Sequence, residues 1–152
     1  MDKKLYLLDS NIISEIIKPE PSFKIIQKIA EHSSECAISS ITWHEMLFGV
    51  ERLEEGLRKT ELKKFLLEDV KESFEIIPYD ENAAQIHVIL RAKLEKSGHT
   101  LPFADSQIAS IAIANKMTLV TRNIKDFEYV KEVCEFKMEN WFEYVESRHA
   151  NA

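Results

Sequence analysis

Leu5-Tyr6-Leu7-Leu8-Asp9-Ser10-Asn11 opens the chain with an apolar run that stops on an acid. Four large apolar residues in succession, with Asp2-Lys3-Lys4 before them and a polar cluster behind, read as a strand buried on both faces. Such strands belong to parallel sheets. Asp9 therefore falls at a strand's carboxyl end, where the ligand crevices of open α/β folds form. Asp9, Ser10 and Asn11 are also good helix caps, and position alone leaves both roles open.

Outward from this strand the chain keeps alternating short β-like runs with longer helical ones. A short helix over 11–17 is stopped by Pro19-Glu20-Pro21, and a second over 22–31 carries the apolar stripe Phe23, Ile26, Ile29 and Ala30. A strand over 36–38 leads to a helix over 42–54, in which Trp43, Met46, Leu47, Val50 and Leu53 recur at helical spacing and Gly56 marks the end. A charged helix over 60–72 turns Leu62, Phe65, Leu66 and Val70 inward, and a strand over 74–77 closes at Pro78. Asp80-Glu81-Asn82 caps a long helix that runs to Lys96 and ends at Gly98. A helix over 103–115, a strand over 118–120, a short helical turn over 123–127 and a last strand over 134–136 complete the pattern. Strands separated by helices predict one three-layer α/β/α domain with a mainly parallel central sheet, spanning residues 1–146, and a loose tail over 147–152.

At 152 residues, 45% hydrophobic and 30% charged, the chain suits a single domain with an ordinary core. Its apolar runs are short and the apolar region of a signal peptide is missing, so a cytoplasmic protein with no membrane partner is expected. Cys36 and Cys134 have no second Cys or His at ligand spacing, and are expected as buried free thiols without disulfide or zinc. The net charge of −6 argues against gripping nucleic acid by electrostatics alone. If RNA or DNA is the substrate, bound cations must offset the acids.

Helical spacing from Asp105 reaches Ile108, Ala109 and Ala112, which should face the sheet, so a carboxylate lies on a buried stripe. An unpaired charge there costs several kcal/mol and calls for a cation, a hydrogen-bond network or a helix N-terminus as partner. Glu45 borders the Trp43, Met46, Val50 stripe with Gly49 leaving space one turn on; pairing with Arg52 is its alternative. His44-Glu45 lacks the second histidine, at Phe48, that a zinc-binding helix requires. Thr121-Arg122-Asn123-Ile124-Lys125-Asp126-Phe127 follows a strand and faces the same crevice, although Asn123 and Asp126 could serve only as helix caps. The donors are carboxylates, hydroxyls and amides, a hard set suited to Mg²⁺ or Mn²⁺. Such ions can deprotonate a water and stabilise the oxygens of an in-line phosphoryl displacement. Gly49, Gly56 and Gly98 are the only glycines, which rules out a Walker loop or a dinucleotide fingerprint.

Taken together, Leu7-Leu8-Asp9-Ser10-Asn11, the stretch from Ser39 to Gly49 centred on His44-Glu45, Leu101-Pro102-Phe103-Ala104-Asp105 with Ile108-Ala109, and the stretch from Leu119 to Phe127 resemble the PIN-domain family. The likeness covers residues 4–142 and is greatest to the VapC toxins of toxin–antitoxin pairs. It implies a Mg²⁺- or Mn²⁺-dependent endoribonuclease, a homodimer, inhibited by a cognate antitoxin whose tail blocks the acidic pocket. Carried over by position, Asp9, Glu45 and Asp105 match the metal ligands. Asn123 and Asp126 match the last motif, in which some relatives carry an acid at the position of Asn123. Ser10 and Thr121 match polar positions that hold the acids. Arg122, Lys125 and Lys18 are candidate contacts to the RNA backbone. The alternative from another class is a non-catalytic PIN-like module that binds RNA or protein; three acids kept facing one another argue against it.

Overall fold

A computed structural model describes residues 3–143. β1 (Tyr6–Leu8), β2 (Cys36–Ser39), β3 (Glu75–Ile77), β4 (Thr118–Val120) and β5 (Lys137–Glu139) form one sheet in the order β3-β2-β1-β4-β5, every pairing parallel. The alternation of side chains across the pleat divides the core in two. Leu7, Ala37 and Leu119 point to one face, and Leu8, Ile38 and Val120 to the other.

The helices sort themselves by the face they cover. α1 (Ser10–Ile16), α2 (Phe23–Glu31), α3 (Ser40–Glu51), α4 (Leu57–Lys64) and α5 (Lys71–Ser73) precede β3 or lead into it. Their Ile12, Ile13, Ile25, Met46 and Val50 pack on the Leu8 side, with Leu66 and Val70 from the π-helical turn Phe65–Val70 that joins α4 to α5. α6 (Glu81–Lys96), α7 (Phe103–Ala114) and α8 (Ile124–Val133) cover the Leu7 side through Ala83, Leu90, Ile108, Ala109, Ala112, Phe127 and Val130. The chain changes face after β3, so the adjacent strands β1 and β4 feed helices on opposite faces. A crevice must open between their carboxyl ends, and those ends are Asp9 and Thr121.

Side-chain caps set several of the helix starts. Ser39 Oγ accepts from Thr42 N at 2.9 Å to begin α3, and Asp80 Oδ1 accepts from Ala83 N at 2.9 Å to begin α6. Replacing Asp80 by Ala should cost about 1 kcal/mol, roughly 2–4 °C in Tm, read by thermal unfolding. Gly98 stops α6 at a φ of +80°, a conformation that side chains rarely adopt, while His99 N closes on Leu94 O at 3.0 Å.

The three-layer parallel architecture agrees with the sequence reading; some boundaries do not. The last strand lies at 137–139 rather than 134–136, because α8 continues to Val133 and Cys134 N still bonds back to Val130 O. Cys134 is accordingly half-buried rather than buried. Cys36 is buried as expected, and burial pushes its thiol up to about 12. Gly56 does not end α3, which stops at Glu51; it stands at the start of α4. The tail expected at 147–152 lies outside the described residues.

Candidate active site

Asp9 is the most constrained residue at the switch point. It follows β1 directly, is 6% exposed, and closes α1 by accepting from Ser10 N through Oδ1 at 2.9 Å. Oδ2 accepts from the fully buried Thr121 hydroxyl at 2.9 Å and from Asn11 Nδ2 at 3.4 Å. Thr121 Oγ1 in turn accepts from Asn123 N at 3.1 Å and from Asn11 Nδ2 at 3.3 Å, while Asn11 Oδ1 accepts from Arg122 N at 3.0 Å. Asn11 therefore staples the end of β1 to the end of β4. From sequence Asn11 read only as a helix cap, because the Thr121 hydroxyl that it meets lies 110 positions away.

Glu45 projects from the second turn of α3 and Asp105 from the first turn of α7, two helices in direct contact. Asp126 lies in the first turn of α8. Burial raises the Asp9 carboxyl against the lowering pull of its Ser10, Thr121 and Asn11 hydrogen bonds. Glu45 is exposed over much of its surface, yet the surrounding protein raises its carboxyl, and Asp9 and then Asp105 raise it further. Half-buried Asp105 is raised by burial first, then by Asp9 and Asp126. Of the four acids foreseen from sequence, Asp9 and Asp105 thus act on Glu45, and Asp9 and Asp126 act on Asp105. Among the described residues they are not closed into a ready-made cation cage. Carboxylate repulsion of this kind is what a divalent cation relieves, and the oxygen-only donor set fits Mg²⁺ or Mn²⁺.

The supporting candidates divide. Thr121 holds Asp9, whereas Ser10 contributes its backbone N–H to Asp9 and its side chain to a cleft of about 350 Å³ shared with Glu45, Gly49 and Arg58. Asn123 begins α8 without a side-chain cap bond. Arg122, Asn123, Lys125 and Asp126 line an adjoining cleft of about 430 Å³, and the Arg122 guanidinium lies 4.3 Å over the Phe142 ring. Lys18 is engaged elsewhere, 2.9 Å from the buried Glu15 carboxylate. Arg52 lies over the Phe48 ring at 5.1 Å.

Behind Asp105 is a feature the sequence did not suggest. His87 of α6 is 2% exposed, with Nδ1 2.6 Å from Tyr79 Oη and Nε2 2.7 Å from Ser106 Oγ. Burial, aided by Arg91, lowers its pKa, so the folded protein holds this imidazole neutral. The unfolded chain binds the extra proton, and stability present above pH 6.5 should be lost as pH falls through the lowered folded value. Replacing His87 by Gln should flatten that acid limb in thermal melts across this range.

A family model of the PIN domain matches residues 6–133, and the chain belongs to the PIN-domain family. Its relatives include Ribonuclease VapC2 of Rickettsia felis, 33% identical over 139 residues that cover 90% of this chain and 98% of that protein. Toxin FitB of Neisseria gonorrhoeae is 31% identical over 126 residues, 81% of this chain and 91% of its own. The crystal structure of VapBC2 from Rickettsia felis, bound to a DNA fragment from their promoter, superposes with a TM-score of 0.78 at 31% identity, covering 90% of this chain and 98% of that one.

Proposed function

We propose that this chain is a Mg²⁺- or Mn²⁺-dependent endoribonuclease, the toxin of a toxin–antitoxin pair, that hydrolyses RNA phosphodiester bonds. The observation that supports the reading is that Asp9 and Asp105 raise the Glu45 carboxyl while Asp9 and Asp126 raise that of Asp105, with Asp9 standing at the place where the sheet's connections reverse. The relatives named as a ribonuclease and a toxin support the substrate class and the biological role.

Asp9, Glu45 and Asp105 would hold the ion, with Asp126 and Asn123 as secondary or water-mediated ligands. Mg²⁺ or Mn²⁺ bound there would supply positive charge against the phosphate oxygens and acidify the attacking water. The protein's own part is geometry. Thr121 and Asn11 fix one oxygen of Asp9 and Ser10 N the other, so the carboxylate arrives oriented. Arg122 and Lys125 edge the adjoining cleft, where they can meet the RNA backbone. Lys18 could do so only by leaving Glu15. An antitoxin tail carrying a basic side chain would find the same acids as its counter-charge, and a homodimer in the cytoplasm is the working form we assign. Among the described residues no helix is long and apolar enough to cross a membrane.

The test is cleavage of mixed cellular RNA by purified protein in Mg²⁺ or Mn²⁺, with EDTA as control. Metal-dependent cutting with defined new ends is the expected result. Folded, antitoxin-free protein that takes up Mn²⁺ but cuts no RNA would favour the binding module instead.

A further inference from the structure

His87 lies in a chain of hydrogen bonds that joins the two helices carrying Glu45 and Asp105. Ser40, the first residue of α3, receives Tyr79 N on its Oγ at 3.1 Å. Tyr79 follows β3 by two residues, and its hydroxyl meets His87 Nδ1 at 2.6 Å. His87 Nε2 then meets Ser106 Oγ at 2.7 Å, next to Asp105 on the first turn of α7. Ser106 spends its own proton on Phe103 O at 2.9 Å. That fixes the direction of the rest: Nε2 must carry the hydrogen and donate to Ser106, so Nδ1 accepts and the tyrosine hydroxyl donates.

We infer that His87 is a positioning residue for the metal centre, setting the separation of Asp105 from Glu45 through the Ser40–Tyr79–His87–Ser106 chain. The inference rests on the metal-site reading above. His87 touches none of the acids; it acts only through the helices it joins. Its imidazole also lies 5.0 Å from the Phe103 ring, so the first turn of α7 is gripped on the ring side as well as at the hydroxyl. Because both ring nitrogens are used and the residue is 2% exposed, small displacements of α7 stretch a hydrogen bond that water has little room to replace.

Two variants separate positioning from general stability. His87→Phe keeps the ring packing and removes both bonds; Tyr79→Phe removes one hydroxyl from a half-buried residue and is the gentler change. The readout is the dissociation constant for Mn²⁺ alone, measured by calorimetry well below each protein's Tm, beside wild type and Asp105→Asn. Each Phe variant should weaken Mn²⁺ binding about 10-fold, the lower end of what outer-shell partners contribute. Their double variant should be little worse than His87→Phe, since both break one chain. Lower Tm with unchanged Mn²⁺ affinity in both variants would show His87 to be structural and overturn the inference alone. Wild-type protein that takes up no Mn²⁺ would overturn the metal-site reading and this inference with it.

Discussion

Asp105→Asn should lower RNA cleavage by at least about 10³-fold, the scale of deleting a preorganised electrostatic group, while the metal-free protein melts no lower than wild type. Both expectations have one cause. The Asp105 carboxyl is raised by burial, by Asp9 and by Asp126, and its charge helps to raise Glu45. A carboxyl raised by folding binds more protons in the folded state than in the unfolded chain. Stability therefore falls as pH climbs from the ordinary aspartate value of 3.8 through the raised folded one. Above the raised folded value the metal-free fold carries this destabilisation in full, and the neutral amide lifts it. Saturating Mn²⁺ should reverse the order, because wild type gains stability by mass action and the variant gains little. Thermal melts of both proteins between about pH 4 and 8, with Mn²⁺ and with EDTA, check each part. Retained cleavage, or an equal Mn²⁺ shift in the variant, would remove Asp105 from the site.

The second large effect belongs to Thr121→Val, which preserves shape and deletes one hydroxyl. That hydroxyl is fully buried, donates to Asp9 at 2.9 Å and accepts from Asn123 N at 3.1 Å. Without it a buried carboxylate loses a charge-assisted bond and a backbone donor loses its acceptor. The expected cost is about 2 kcal/mol, roughly 4–8 °C in Tm. Cleavage should drop about 10- to 100-fold as Asp9 loses its orientation. Thr121→Ser, which restores the hydroxyl, should recover most of both. A valine variant that melts and cuts like wild type would mean that Asp9 is held by Ser10 and Asn11 alone.

What the sequence discloses depends on how local the signal is. β1 and Asp9 were legible because four apolar residues and a following acid are neighbours in the chain. Asp105 was legible because its misfit, a charge on a stripe that includes Ile108, Ala109 and Ala112, repeats within three turns. Asn11 and the His87 chain were not. Asn11 meets Thr121 across 110 positions, and His87 meets Ser106 across 19, so no spacing rule connects them. β5 was misplaced for a different reason. It is an edge strand pairing only with β4, and of Lys137, Met138 and Glu139 just one side chain turns inward, whereas Cys134-Glu135-Phe136 carries the more apolar pattern. Charged residues on an edge strand discourage pairing with other chains, and they also erase the alternation that would reveal the strand.

The order of the strands also governs when the protein can become active during its synthesis. β1 is made first, yet one of its two partners is β4, and the hydroxyl that aims Asp9 arrives only with Thr121. A growing chain that ends before residue 118 can hold Asp9, Glu45 and Asp105 but lacks β4, whose end carries the Thr121 hydroxyl that orients Asp9. An unfinished copy of this kind has no hydroxyl to hold Asp9 in its oriented form. The oriented site therefore forms only late in synthesis, once β4 has joined β1.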